Sequence, residues 1–325
     1  MGENERGADD VGRSPSDDDL GAWRSPRAHR GHAEATAAVT ARAWGELQAH
    51  GRPDPPAEPV VETPFGPTVA FSWPGEGTPL VLLHGAGTSS LMWVPVVAEL
   101  PGRAVVALDV VGDPGRSTQT APVRDADDLA SWLDTALSGL GVERAHVVGA
   151  SYGGWLAFAY ARRSPARVAS LSLVEPVLDP LRRGFWTYGL RVGAALALPR
   201  RLGDPWLRRL RMGVLADHPD TRTVALLGQT RFRRRLPRPV PVDDADLGAL
   251  AVPLLVVLGS ESPIHEPPAL AARVRAARPD ARVHVLDEAG HTLPVDAADR
   301  VAPLLAAFAD EVDGAAGCHA SGTAG

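Results

Sequence analysis

The 325-residue chain carries 33 basic and 39 acidic residues, a formal net charge of −6, and 45% hydrophobic residues. That is enough apolar material for a sizeable core in one large domain or two small ones, and the charge balance gives no electrostatic reason to expect nucleic acid as a partner. There is no apolar run long enough to span a membrane and none that reads as a signal peptide, and the only cysteine, Cys318, excludes an intramolecular disulfide, so a soluble cytoplasmic protein is expected.

Residues 1–32 are polar, charged and rich in Gly and Ser, and their composition predicts disorder. Residues 33–50, "AEATAAVTARAWGELQAH", predict a helix that stops at Gly51 and gives way to a proline-rich connector, so that 33–58 precede the main domain. Two short strands follow around a Gly66–Pro67 turn. From there the chain alternates. The apolar runs "PLVLLHG", "AVVALDVVG", "AHVVGAS", "VASLSLVEP", "PLLVVLGS" and "ARVHVLDEAG" are separated mostly by amphipathic, helix-length segments. This pattern predicts an α/β fold over residues 59–312: a doubly wound, mostly parallel sheet with helices on both faces. Strands covered on both faces need to be largely apolar, as most of these are. Residues 177–247 break the rhythm with helical segments alone, which predicts a helical lid inserted after the sixth strand. The tail 313–325 reads as disordered.

The chemistry centres on "VVGASYGGWLAFAY", where an apolar strand ends at Gly149, Ser151 follows, and a helix starts at once. The pattern G-x-S-x-G, from Gly149 to Gly153, is weak as five letters alone but specific between a strand and a helix. A sharp strand-to-helix turn lifts a serine above the sheet beside a helix N-terminus that favours negative charge. The alternative, a tight turn with an idle serine, is weakened by what surrounds it. "LVLLHGAG" is a strand followed by a small-residue loop, which suits a backbone N–H aimed at an oxyanion. Ala86 is the best donor there, with Tyr152, the residue after the serine, as the second. His84 directly precedes a glycine turn and reads as a brace for that loop. In "VHVLDEAGHTLPVDAAD" the loop after the last strand presents His291, which is placed to serve as a general base. His265, after the seventh strand, is the weaker candidate.

These segments, HGAG (84–87), "LDVVGDPGRS" (108–117), GASYGG (149–154) and "EAGHTLP" (288–294), resemble the α/β-hydrolase fold family, in particular its lidded, esterase-like members. The resemblance implies Ser151 as nucleophile, His291 as base and Ala86 and Tyr152 as oxyanion donors, and it makes Asp109, Asp113 and Arg116 structural. The family's usual acid stands in the loop after the seventh strand, and the chain departs from that pattern. In "LLVVLGSESPIHEPP" the expected place holds Ser262, with Glu261 one residue early. Two carboxylates are candidates. Glu175 ends the sixth strand, where haloalkane dehalogenases of the same fold carry their acid, and it is held rigidly between a strand and Pro176. Glu261 lies in a more adjustable loop. Rigid support orients an imidazole better, so Glu175 is preferred, with Glu261 as the alternative and a set without a carboxylate as the third possibility.

The expected activity is hydrolysis of a carboxylic ester or lactone through a Ser–His–acid triad and an acyl-enzyme. The alternatives are a thioesterase, acyltransferase or cyclising enzyme using the same serine, or a non-hydrolytic member of the fold. Lid aromatics (Phe185, Trp186, Tyr188, Trp206) with Leu190 suggest a pocket for a small hydrophobic substrate. No metal or other cofactor is implied, since no His, Cys or Asp cluster has ligand spacing, and no membrane partner is expected. Between Leu181 and Arg238 there are 14 arginines and three aspartates. The run "RFRRR" (231–235) is weighed as a contact for an anionic substrate or a carrier's phosphopantetheine, and a solvated helical face is the preferred reading.

Overall fold

A computed structural model of the chain describes residues 19–51, 56–179 and 183–321. Its centre is an eight-stranded sheet. In chain order the strands are β1 (Val60–Val61), β2 (Thr68–Trp73), β3 (Glu76–Leu83), β4 (Arg103–Leu108), β5 (Ala145–Ala150), β6 (Val168–Val174), β7 (Leu254–Gly259) and β8 (Arg282–Leu286). Their order across the sheet is β1-β2-β4-β3-β5-β6-β7-β8. β2 pairs antiparallel with β1 and β4, and every other pairing is parallel. The chain leaves β3 toward β4 on one side and returns to β5 on the other. Loops at the carboxyl ends of β3 and β5 therefore diverge and leave a crevice, the usual ligand position in such sheets.

The strand sequences follow from what covers them. Side chains alternate between faces, and both faces are apolar. Val81 and Leu83 of β3, with Val106 and Leu108 of β4, join one core cluster, while Leu80 and Leu82, with Val105 and Ala107, join the other. The first cluster is closed by α3 (Ala126–Gly139), α4 (Tyr152–Arg163) and α10 (Pro267–Ala277), and the second by α1 (Pro26–Ala49), α2 (Val94–Ala98) and α12 (Ala298–Ser321). α3 shows how locally this is encoded. Asp125 caps it by accepting from Asp128 N–H, Asp127 and Asp128 favour its N-terminal dipole, and Leu129, Leu133, Ala136 and Leu137 bury one stripe.

Between β6 and β7 the chain forms a helical insertion of α5 (Arg183–Ala197), α6 (Arg200–Arg209), α7 (Gly213–Asp217), α8 (Pro219–Arg231) and α9 (Asp244–Gly248). A short α11 (Leu293–Asp296) precedes α12.

Three expectations need correction. Residues 26–32, assigned to disorder, are the first turns of α1. Ser25 caps it, its Oγ accepting from Ala28 N–H, and Pro26 occupies the first turn, where its missing N–H costs nothing. Ahead of it, Ala22–Trp23 pairs antiparallel with Phe232–Arg233. Expected disorder at residues 1–18 lies outside the described residues. At the other end α12 runs to Ser321, well past the expected boundary at 312. Asp313 is bound there, its carboxylate accepting from Arg103 Nη2 at 3.2 Å and meeting His146 Nε2 at 3.1 Å. Residues 322–325 are outside the described set. Finally, "RFRRR" is no solvated helical face: α8 ends at Arg231, Phe232–Arg233 is extended, and Arg234 turns inward.

α1 is anchored by Leu47, only 1% exposed, and by Ala43 beneath it. Leu47→Ala should therefore cost about 2–5 kcal/mol, and Ser25→Ala about 1 kcal/mol. Urea denaturation measures both; a segment without fixed structure would give neither loss.

Candidate active site

Ser151 sits between the last residue of β5 and the first of α4, with φ 53° and ψ −116°. That conformation is costly for any residue with a Cβ. It is held by hydrogen bonds on both sides: Ser151 N–H donates to Val174 O at 3.1 Å, and Ser151 O accepts from Gly154 and Val177 N–H. The turn also brings Gly153 O against residue 149, where a Cβ would stand 2.1 Å from it, so only glycine fits there.

Pairing of Ala150 with Val174, and of Val174 with Val257, places the ends of β5, β6 and β7 side by side. Glu175, the residue after β6, also has positive φ (48°) and is fixed by its own N–H, which donates to Val257 O at 2.9 Å. Its side chain has no solvent exposure. Oε1 accepts from Gly259 N–H at 2.7 Å, and Oε2 accepts from Ser262 Oγ at 2.6 Å. The loop after β8 packs tightly on the end of β7: a Cβ at Gly259 would stand 2.4 Å from both Ala289 O and Gly290 O. That approach delivers His291. Its Nδ1 lies 3.1 Å from Glu175 Oε2, and its Nε2 lies 3.1 Å from Ser151 Oγ. A hydroxyl, an imidazole and a buried carboxylate thus form one hydrogen-bonded row.

Among the described residues four non-glycines have positive φ: Ser151, Glu175, Arg211 and Glu288. All lie in or against this row. Glu288 is in the loop that presents His291, and Arg211 O accepts from Thr292 Oγ1. Strain of this kind persists only where surrounding contacts impose it, and it gathers at functional sites.

Glu261 lies elsewhere. Its carboxylate forms a two-pronged pair with Arg211 of the insertion (Nε–Oε2 3.0 Å, Nη2–Oε1 2.8 Å). Hydrogen bonding to the guanidinium lowers the Glu261 pKa and raises that of Arg211. Both side chains are well exposed, so the pair contributes little to stability. His265 is buried, with Nε2 3.5 Å from Glu175 Oε2, the oxygen that His291 Nδ1 approaches more closely, at 3.1 Å.

The loop after β3 lies against Ser151, a Cβ at Gly85 being 3.3 Å from Ser151 Cβ. His84 Nε2 accepts from Val110 N–H at 2.9 Å, which leaves the proton on Nδ1 to donate to Gly85 O at 2.8 Å. Thr88 Oγ1 donates to the same carbonyl at 2.7 Å. In a trans peptide the N–H points opposite to the C=O, so these two bonds set the direction of the Ala86 N–H. The next peptide is clamped too: Ala86 O accepts from Gln229 Nε2 of α8 at 3.0 Å, and Gly87 N–H donates to Asp113 Oδ1 at 2.9 Å. His84 is buried in this brace. Asp109 is likewise structural, accepting from Ser90 N–H, Ser90 Oγ and Arg116 N–H.

Sequence reasoning missed the clamp that joins this loop to the insertion. Arg234 Nε donates to Asp113 Oδ1 at 2.7 Å, and its guanidinium lies 3.9 Å from the centre of the Tyr152 ring. Burial works against the Arg234 cation, but its neighbours Asp113 and Tyr152 together outweigh it, and the pKa is raised. Tyr152 is buried, and its hydroxyl donates to Pro237 O at 2.9 Å. The only local signal was one arginine among several. Of the apolar insertion residues expected to form a pocket, Trp186, Leu190 and Trp206 are exposed, at 64%, 75% and 37%. α5 and α6 instead bury Ala195 and Leu207 against each other with Leu215 and Ala216. Tyr188 donates to Leu210 O, and the Phe185 side chain lies outside the described residues. Among the described residues no cluster of His, Cys, Asp and Glu could hold a metal ion, and no helix is long and apolar enough to cross a membrane.

Fold and site together define an α/β-hydrolase. The model of the alpha/beta hydrolase family matches residues 80–304, and the chain belongs to that family. It is 30% identical over 244 residues to an uncharacterized carboxylesterase, nap, of Bacillus subtilis (strain 168), covering 73% of this chain and 81% of that protein. It is 32% identical over 261 residues to a 2-hydroxymuconate semialdehyde hydrolase of Pseudomonas putida, covering 74% of this chain and 89% of that one. The crystal structure of naproxen esterase from Bacillus subtilis superposes with a TM-score of 0.69 at 26% identity, over 83% of this chain and 96% of the other.

All three tyrosines of the chain, Tyr152, Tyr160 and Tyr188, have raised pKa values, burial being the main cause in each. Below about pH 10, where unfolded tyrosine is protonated, this contributes no pH dependence; above it the unfolded chain ionises first and stability falls as pH rises. An alkaline titration followed at the phenolate absorbance should show one cooperative step coincident with loss of circular dichroism. A gradual, non-cooperative rise near pH 10 would contradict these environments.

Proposed function

We propose that the protein is a serine hydrolase of carboxylic esters, with Ser151 as nucleophile, His291 as general base and Glu175 as the orienting acid. The observation that carries this reading is the row from Ser151 Oγ to His291 Nε2 and from His291 Nδ1 to Glu175 Oε2, each step 3.1 Å. Ser151 Oγ attacks the ester carbonyl carbon while its proton passes to His291 Nε2. Glu175 accepts from the Nδ1–H and stabilises the imidazolium. The oxyanion falls to the N–H groups of Ala86 and Tyr152, the first aimed by His84 and Thr88 through Gly85 O, the second at the N-terminus of α4. Collapse of the tetrahedral intermediate expels the alcohol, which takes its proton from His291. The acyl group on Ser151 is then transferred to water, activated by the same histidine.

Similarity to carboxylesterases, one of them named a naproxen esterase, supports an ester or lactone of a small hydrophobic substrate. The helical insertion acts as a lid, held to the site loops by Arg211, Gln229 and Arg234. The thought that a basic lid receives an anionic carrier loses support, because Arg200, Arg208, Arg211, Arg222 and Arg234 all have carboxylate partners within the protein. We place the enzyme in the cytoplasm, with a small-molecule substrate and no cofactor in the reaction.

A fluorophosphonate probe should label Ser151 in the wild type and not in Ser151→Ala. Glu175→Gln should slow labelling roughly 10³–10⁴-fold, as loss of the correct imidazole tautomer does in such triads. Glu261→Gln should change it by no more than about twofold, since its pair with Arg211 is an exposed one. Rapid labelling of Glu175→Gln would overturn the assignment of the acid.

A further inference from the structure

Ser262 stands where the resemblance places an acid, and the mechanism above leaves it without a role. The loop is built so that its hydroxyl faces Glu175. Ser262 N–H donates to Gly259 O at 3.1 Å, which closes the turn, and Ser262 Oγ accepts from Ile264 N–H at 3.4 Å. With an oxygen lone pair so directed, the hydroxyl proton is available for Glu175 Oε2, 2.6 Å away.

We propose that Ser262 is a positioning residue: its hydroxyl fixes the carboxylate of Glu175 so that Oε2 is aimed at His291. This rests on the reading of Glu175 as the acid. The physical need comes from the glutamate itself. Its last torsion, between sp³ and sp² carbons, is broad and nearly two-fold, so one bond does not fix the plane of the carboxylate. Gly259 N–H holds Oε1, and Ser262 Oγ holds Oε2, the oxygen that also meets His291 Nδ1. Two donors at opposite oxygens define the plane where one would not. With His291 Nδ1 they supply the hydrogen bonds that a carboxylate without solvent exposure needs. The residue type is restricted on both sides. An aspartate at 262 would bring a second negative charge against Oε2 in a dry site, forcing one carboxyl to take up a proton. An alanine would leave Oε2 to His291 and to His265, whose Nε2 is 3.5 Å away. Among the described residues those two histidines are the titratable groups within 4 Å of Glu175; Arg211 and Glu261 pair at the exposed rim of the same loop.

The test is steady-state hydrolysis of a p-nitrophenyl ester across pH by the full chain with Ser262→Ala, Ser262→Cys and Ser262→Thr, beside Glu175→Gln. Loss of the donor should lower kcat roughly tenfold or more in the Ala and Cys variants, with KM little changed. Removing a hydrogen bond from Oε2 leaves more of its charge for His291, so the imidazolium is favoured and the acid limb of kcat/KM moves to higher pH. Threonine, which keeps the hydroxyl, should restore both kcat and the limb. If Ser262→Ala is poorly folded, the near-isosteric cysteine carries the comparison. Ala and Cys variants with wild-type kcat and an unmoved limb would overturn the proposal, as would a loss that threonine fails to reverse. If Glu175→Gln itself retains full activity, the acid assignment falls first, and the role of Ser262 falls with it.

Discussion

A carboxylate with no exposure to solvent, that of Glu175, is the constraint on which the arrangement of the site depends. Ionised oxygens are stable in such a place only with hydrogen-bond donors on each, and the desolvation they suffer is large. The donors come from the end of β7 (Gly259 N–H), the loop after it (Ser262 Oγ) and the loop after β8 (His291 Nδ1). Three neighbouring strand ends must therefore keep fixed register around one side chain. The parallel ladder supplies that register, Val174 lying opposite Val257 and Leu286 opposite Gly259. The sheet does more than carry these residues; it determines which of them can meet.

Strain is distributed in the same way. Positive φ at Ser151 and at Glu175 is tolerated because each backbone N–H is tied to the adjoining strand, to Val174 O and Val257 O. Both residues follow directly on fully buried strands, where the chain has no freedom to relax. A rigid interior transmits this constraint to the side chains that stand on it. Such preorganisation is what the proposed triad needs, since an imidazole between two partners at 3.1 Å must be held at both nitrogens.

The insertion is integrated with this floor at several points instead of resting loosely on it. Arg211 pairs with Glu261 and its carbonyl accepts from Thr292, next to His291. Gln229 reaches Ala86 O, and Arg234 lies between Asp113 and the ring of Tyr152. α8 is in turn backed by α1, through the bonds of Arg42 to Asp220 and Thr221. A segment outside the family match thus supports a helix that touches the loop of Ala86. Glu261, the alternative acid, is engaged in this docking, which explains why a carboxylate stands beside the vacated position without serving His291.

Much of this was legible in the sequence. Apolar runs alternating with amphipathic helices define a sheet covered on both faces, because a strand buried on two sides has little place for polar residues unless they satisfy one another, as His146 and Ser170 do. The same local logic marks Gly149–Gly153 as a strained turn between strand and helix, and the loop after β8 as the source of His291. Composition misled at both ends of the domain: residues 26–32 and 313–321 read as disordered, yet Ser25 caps one helix and Asp313 is tied to Arg103 and His146 in the other. The Ser25 cap is a local signal, three residues from its donor, that the polar composition masked, whereas Asp313 is held by partners 167 and 210 residues away in sequence. The acid shows the division most clearly. Residue types favoured two glutamates, Glu175 directly after β6 and Glu261 two residues past the end of β7. Only the packed structure decides that Glu175 points inward to Gly259, Ser262 and His291 while Glu261 pairs with Arg211, because that depends on strand register and on a docked insertion, neither of which is written in any local stretch of residues.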